Sequence, residues 1–103
     1  MLKYVFENNT ITHVIHLAAQ SHVQDSFTDS IKYTEDNILG THNLLEVNRL
    51  FNKNLLKFTH VSTDEVYGES TLDLKEKHKT EHSILCPTNP YAASKAGAEM
   101  LAQ

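Results

Sequence analysis

Two short β-rich runs, and what lies between them, decide most of what this chain can become. Ile11-Thr12-His13-Val14-Ile15-His16-Leu17 and Leu55-Leu56-Lys57-Phe58-Thr59-His60-Val61 are dense in β-branched and large apolar residues, the composition of a strand. The first is apolar enough to predict a strand buried on both faces. From about Asp29 to Phe51, apolar residues recur at three- and four-residue steps: Ile31, Ile38 and Leu45, with Leu39, Leu44, Val47, Leu50 and Phe51 beside them. That period predicts a helix. A strand, a long helix and a second strand in succession predict a right-handed crossover and a parallel sheet, hence an α/β fold.

The rest of the chain hangs on this unit. Leu2, Val5 and Phe6 sit at helical spacing, and Asn8-Asn9 ends that pattern. Ala18-Ala19-Gln20-Ser21-His22 reads as a loop. Gly40 lies within the long helix and weakens it by up to ~1 kcal/mol relative to alanine; a close helix–sheet approach accounts for it. Residues 68 to 90 are polar and irregular, and a loop of that length is often functional. A last helix begins near Tyr91, with Asn89 as its cap and Pro90 in its first turn. Two strands cannot bury both faces of their own sheet. We therefore expect the middle of a larger α/β domain, only marginally folded on its own.

Composition removes several function classes. With 103 residues the chain holds one small domain, and 40% hydrophobic with 21% charged residues is an ordinary globular balance. A net charge of −4 leaves no basic footprint for nucleic acid. No apolar run reaches the ~18–20 residues of a membrane span, and the start turns polar too soon for a signal peptide. One cysteine, Cys86, allows neither an internal disulfide nor a multi-cysteine zinc site, so a cytoplasmic location is expected. The histidines suggest no metal site. His13 and His16 fall on opposite sides of a strand, and His78 and His82 lie in a charged stretch. Gly-x-Ser-x-Gly is absent, and Asn8-Asn9-Thr10, although a glycosylation sequon, reads as a turn.

Chemistry is expected at the carboxyl ends of the strands, where open α/β sheets bind ligands. Ala18 and Ala19 are small enough to admit a flat cofactor to the backbone, though ordinary loop packing explains them as well. Tyr91 and Lys95 stand four apart on a helix and share a face. A nearby ammonium favours the phenolate, so the pair is a plausible proton-transfer unit. On spacing alone, a solvated tyrosine beside a surface lysine is the simpler account. Asp64 and Glu65 follow a strand directly. Two carboxyls in different environments can divide the acid and base roles of a dehydration, or can be acids of a helical first turn.

The combination is more specific than its parts. His16-Leu17-Ala18-Ala19-Gln20-Ser21-His22-Val23, Asn37-Ile38-Leu39-Gly40-Thr41-His42, Val61-Ser62-Thr63-Asp64-Glu65-Val66-Tyr67-Gly68 and Pro87-Thr88-Asn89-Pro90-Tyr91-Ala92-Ala93-Ser94-Lys95-Ala96 occur in that order. Together they resemble the nucleotide-sugar branch of the extended short-chain dehydrogenase/reductases, and within it the dTDP-glucose 4,6-dehydratases. The resemblance covers nearly the whole chain, and Ser-Thr-Asp-Glu-Val-Tyr-Gly is its most specific part. It implies a partial Rossmann-type, doubly wound parallel sheet. Family members add an N-terminal glycine-rich turn and a C-terminal substrate domain. Residues 1–103 are thus expected to be the central fragment of one NAD-binding domain. The three glycines, Gly40, Gly68 and Gly97, are too dispersed to supply that turn.

The resemblance also implies roles. Tyr91 would accept the proton from the sugar O4 as hydride leaves C4 for NAD. Lys95 would hold the nicotinamide ribose and lower the pKa of Tyr91. Thr63 would hydrogen-bond the O4 region, Asp64 would protonate the departing C6 hydroxyl, and Glu65 would take the C5 proton. Leu17, Ala18, Ala19, Gln20 and Ser21 would line the cofactor site, with Ser21 also near substrate. Two departures bear on cofactor affinity: Gln24-Asp25 stands where the family usually has Asp-Arg or Asp-Asn, and Asp36 stands beside the cofactor where it usually has threonine. Residues 72 to 82 read as a longer, more charged surface loop than usual. Segments 85–90 and 96–100 look closer to relatives acting on UDP-glucose. A nucleotide-sugar substrate is implied, and commonly a homodimer, with the long and final helices as contact faces. The alternatives are a related epimerase or decarboxylase, which needs no acid–base pair after the threonine, and a catalytically inert fragment.

Overall fold

The computed structural model describes residues 1–71 and 78–103. The elements run α1 (Leu2–Asn8), β1 (His13–His16), α2 (Val23–Thr28), α3 (Ser30–Tyr33), a π-helical segment (Thr34–Leu39), α4 (Gly40–Phe51), β2 (Lys57–His60), a 3-10 turn (Asp64–Tyr67) and α5 (Pro90–Ala102). The strands pair in parallel, with His13 opposite Lys57 and His16 opposite His60, as the crossover requires. Both strands are shorter than their apolar runs. Bonds from Leu56 N to Thr12 O (2.7 Å) and Val61 N to His16 O (3.0 Å) continue the pairing just beyond them.

The first strand is buried on one face, not two. His16 is buried while His13, Ile15 and Leu17 are exposed. Lys57, Thr59 and Val61 of the second run are exposed as well, and Phe58 and His60 are half-buried. Alternation of side chains along each strand thus separates an open face from one packed under helices.

The long helix holds, with a change of pitch. Residues 30–51 follow a right-handed helical path, with Tyr33, Thr34, Leu39 and Gly40 all near φ −60°, ψ −40°. Over Thr34–Leu39 the turn widens, and such widened turns often mark functional sites. The apolar stripe is only partly covered: Ile31 is 72% exposed, and Leu39 and Leu50 also face solvent. Asn37 turns inward instead and is 1% exposed. Gly40 is not at a close helix–sheet approach. A Cβ there would meet Glu35 O at an ordinary 3.7 Å. The tight approach is at Gly97 of α5, where a Cβ would come within 2.8 Å of Ile38 Cδ1.

The helix α2, on the stretch between the loop at residues 18–22 and the start of the long helix that the sequence leaves unassigned, packs against α5. Its Ser26 is fully buried and donates to Val23 O at 2.6 Å. The core gathers around α5: Tyr33, Val66, Tyr91, Ala92, Ala96 and Ala98 are buried, and the Tyr33 and Tyr91 rings meet edge to face at 6.4 Å. On the far side, α1 inserts Phe6 and sets Lys3 Nζ 4.7 Å from the centre of the Phe51 ring. The cap of α5 is as expected. Asn89 Oδ1 accepts from Ala92 N at 2.8 Å, and Pro90 opens the helix.

Candidate active site

Three segments converge at the carboxyl ends of the strands. The first is the loop Leu17–Ser21 after β1, in which Leu17, Ala18, Ala19 and Ser21 are exposed and Gln20 is half-buried. Asn37 fixes it: Gln20 N donates to Asn37 Oδ1 at 2.7 Å, and Asn37 Nδ2 donates to Gln20 O at 3.0 Å. The same Nδ2 reaches Ser94 Oγ at 2.8 Å, and Ser94 Oγ donates to Tyr91 O at 2.8 Å. One buried amide thus sets the β1 loop against the helix that carries Tyr91 and Lys95.

The second segment leaves β2 through Ser62 and Thr63 into the 3-10 turn. Thr63 caps that turn, its Oγ1 accepting weakly from Glu65 N at 3.4 Å. Asp64 and Glu65 therefore do occupy a helical first turn, where the orphan N–H groups favour acids. Asp64 is exposed and Glu65 half-buried. Gly68 closes the turn at φ 86°, with Cys86 N bonded to Val66 O at 2.9 Å.

The third segment is the start of α5. Tyr91 and Lys95 are both buried, Lys95 to 4% exposure, so they are not a solvated surface pair. Lys95 Nζ donates to Val61 O at 2.7 Å. Burial pushes its pKa below the ordinary lysine value, and the Glu99 carboxylate partly offsets this. Asn89 does two things at once: while capping α5 it donates from Nδ2 to Glu65 Oε2 at 3.1 Å. Among the described residues no side-chain hydrogen bond joins Tyr91 to Lys95.

All the residues expected in the site are thereby brought to one end of the sheet. Thr63, Asp64 and Glu65 are tied to the Tyr91–Lys95 helix by the Asn89 and Val61 bonds. Leu17 to Ser21 are tied to it through Asn37 and Ser94. Asp36 lies on the widened turn, and its carboxylate accepts from Gln20 Nε2 at 2.8 Å, so a neighbour already occupies the unexpected charge. A cavity of about 410 Å³ opens between Ala18, Ala19, Gln20, Asp36 and Gly40. A second, of about 560 Å³, is walled by Asp64, Glu65, Lys79, Thr88 and Asn89. Of the long charged loop, residues 72–77 lie outside the described residues; His78 and His82 are exposed.

Asn37, Ser94, Ser62 and Glu99 were not expected as site residues. Their signal was present but faint: Asn37 and Ser94 are helix-interior polar residues that compete with the backbone for hydrogen bonds, and such residues need a reason to be there.

The whole chain, residues 1–103, matches the family model of GDP-mannose 4,6 dehydratase. The chain belongs to this family. It is 53% identical over 110 residues to a dTDP-D-glucose 4,6-dehydratase of Dictyostelium discoideum, covering 100% of the chain and 25% of that protein. It is 48% identical over 101 residues to a trifunctional UDP-glucose 4,6-dehydratase/UDP-4-keto-6-deoxy-D-glucose 3,5-epimerase/UDP-4-keto-L-rhamnose-reductase of Arabidopsis thaliana, covering 98% of the chain and 15% of that protein. Among solved structures, the dTDP-glucose 4,6-dehydratase DesIV of Streptomyces venezuelae, with NAD bound, aligns at TM-score 0.84 and 36% identity over 97% of this chain and 30% of that one. A UDP-Glc/GlcNAc 4-epimerase of Campylobacter jejuni aligns at TM-score 0.83 and 33% identity over 97% of this chain and 29% of that one. The fold is thus the Rossmann-type α/β sheet of these enzymes. The chain spans about a quarter of the length of the first of these relatives.

Proposed function

We propose that this chain is the central part of one NAD-binding domain in a nucleotide-sugar 4,6-dehydratase. The whole protein would remove water from dTDP-glucose or UDP-glucose to leave the 4-keto-6-deoxy sugar. The observation that carries this reading is the pairing of two chemistries at one sheet end. Asn89 joins the Asp64–Glu65 turn to the Tyr91–Lys95 helix through its 3.1 Å bond to Glu65. An epimerase of the same fold needs the tyrosine and lysine but no acid–base pair beside them, so Asp64 and Glu65 favour the dehydratase.

The residues suit NAD. Lys95 spends one of three N–H donors on Val61 O, and a buried ammonium seeks further acceptors, such as ribose hydroxyls. Leu17, Ala18, Ala19, Gln20, Ser21 and Asp36 would complete that wall. NAD when bound supplies a reversible hydride acceptor. The chain's own residues do the rest. Tyr91 takes the O4 proton, aided by the Lys95 charge. Thr63 and Ser21 orient the sugar. Glu65 removes the C5 proton, acidified by the C4 ketone, while Asp64 protonates the departing C6 hydroxyl. With the hydride returned to C6 and a proton to C5, atoms balance as the loss of one water, with no net redox change.

We further propose a homodimer in the cytoplasm. Ile31 and Met100 leave apolar surface on the long and final helices, and the single cysteine, Cys86, suits a reducing compartment. The test is incubation of the whole protein with NAD and each sugar nucleotide, read by mass spectrometry. Loss of one water, abolished in Tyr91→Phe and slowed in Asp64→Asn or Glu65→Gln, supports the dehydratase. No loss from either sugar by a folded, NAD-binding protein leaves the epimerase or an inert relative.

A further inference from the structure

Lys95 and Glu99 stand four residues apart on α5, the spacing at which an ammonium and a carboxylate on one helix ordinarily pair. They do not pair here. Ser62 Oγ donates to Glu99 Oε2 at 2.5 Å, while Lys95 Nζ donates to Val61 O at 2.7 Å. Among the described residues, no carboxylate stands within ion-pair distance of Lys95. The two acceptor and donor groups, Val61 O and Ser62 Oγ, are consecutive in sequence. The exit of β2 therefore takes hold of both charged side chains and keeps them apart.

We propose that Ser62 is a positioning residue for Lys95. By holding the Glu99 carboxylate, it prevents the lysine from collapsing into a pair within its own helix, and so leaves two ammonium donors free for ligand. Glu99 then serves as a counter-charge at a distance. Its field supports the buried ammonium without consuming its hydrogen bonds. A low-dielectric surround strengthens this effect: Lys95 is 4% exposed, and His16 and His60 lie on the same covered face of the sheet. The arrangement also fixes the strand exit that leads straight into Thr63, Asp64 and Glu65. The inference rests on the cofactor reading above for its purpose, but not for its geometry.

A double-mutant cycle gives the test, because only an electrostatic latch predicts rescue. In the whole protein, Ser62→Ala frees Glu99 to pair with Lys95 and should weaken NAD binding about tenfold, the loss of one charge-assisted hydrogen bond. Adding Glu99→Gln removes the competing charge and should restore affinity to within about threefold of the parent. Ser62→Thr keeps the hydroxyl and should bind as the parent does. The companion readout needs no cofactor: a crystal structure of Ser62→Ala should show Lys95 Nζ and the Glu99 carboxylate in an ion pair. An unmoved Glu99 in that structure overturns the proposal, whether or not NAD binds. So does a double variant that binds NAD no better than Ser62→Ala. A protein that shows the new ion pair yet never binds NAD would support the latch and sink the cofactor reading instead.

Discussion

Asn37 grips Gln20 by both backbone polar groups, accepting from its N–H at 2.7 Å and donating to its carbonyl at 3.0 Å. With its further bond to Ser94, this fully buried amide holds the β1 loop to the helix that carries Tyr91 and Lys95. Asn37→Asp keeps the acceptor but loses both donations and buries a carboxylate beside two oxygens. It should destabilise the protein by about 3 kcal/mol, the cost of unsatisfied buried polar groups, measured as a lowered midpoint in urea. A loss under about 0.5 kcal/mol, the range of an ordinary surface substitution, would mean the clamp is dispensable.

Two glycines should respond to alanine in opposite ways. Gly68 has φ 86°, and a Cβ there would fall 2.6 Å from Cys86 O, a backbone atom. Neither strain nor clash has an easy escape, so Gly68→Ala should cost about 2 kcal/mol or more. At Gly97 the obstacle is Ile38 Cδ1, the far end of a mobile side chain. Helix propensity returns up to ~1 kcal/mol there, and Gly97→Ala should come out near neutral. Thermal melts of both variants check the contrast, and equal losses would refute it.

How far the sequence discloses this molecule follows from the range of the forces involved. The crossover, the α5 cap and the end of α1 are local matters of periodicity and hydrogen-bond chemistry, and they are as read. The widened turn over Thr34–Leu39 was not legible. It depends on Asn37 finding Gln20 and Ser94, 17 and 57 residues away, and no local pattern encodes that. The open face of β1 misled for a related reason: Ile15 and Leu17 are apolar because of what can cover them, not because anything among the described residues does. The site residues themselves came from motif resemblance. Their chemistry was weak residue by residue, since burial of Tyr91 and Lys95, which excludes a solvated surface pair, is a tertiary property.

Asn89 offers a way to separate folding from chemistry at Glu65. Asn89→Asp retains the oxygen that accepts from Ala92 N and caps α5, but loses the Nδ2 donation to Glu65 and sets a second carboxylate against it. The helix should survive within about 1 kcal/mol, whereas Asn89→Ala forfeits a cap of that order. Turnover of the sugar nucleotide by the whole protein should fall about tenfold in Asn89→Asp, a fraction of what a positioned acid or base contributes. Turnover unchanged, with the melt unchanged, would show that Glu65 needs no such partner.

His60 should make the protein sensitive to mild acid. Both its ring nitrogens are buried without a hydrogen-bond partner among the described residues. Its pKa lies below the ordinary 6.5, first because of burial, then because of the positive charges of Lys95 and His16, with Glu99 opposing. His16 shifts the same way through burial and Lys95, while its Nε2 lies 2.8 Å from Thr41 Oγ1. The unfolded chain therefore takes up protons at 6.5, before the folded one does. Their contribution to stability is whole above 6.5 and declines as pH falls through 6.5 toward the lower folded values. His60→Leu removes one of these two groups together with an unsatisfied N–H. It should gain about 1 kcal/mol near neutral pH and flatten the fall in stability below 6.5, with His16 accounting for what slope is left. Urea titrations of both proteins at a series of pH values measure this directly. If the leucine variant is less stable at neutral pH and loses stability in acid as steeply as its parent, His60 is satisfied by a partner and the acid sensitivity has another source.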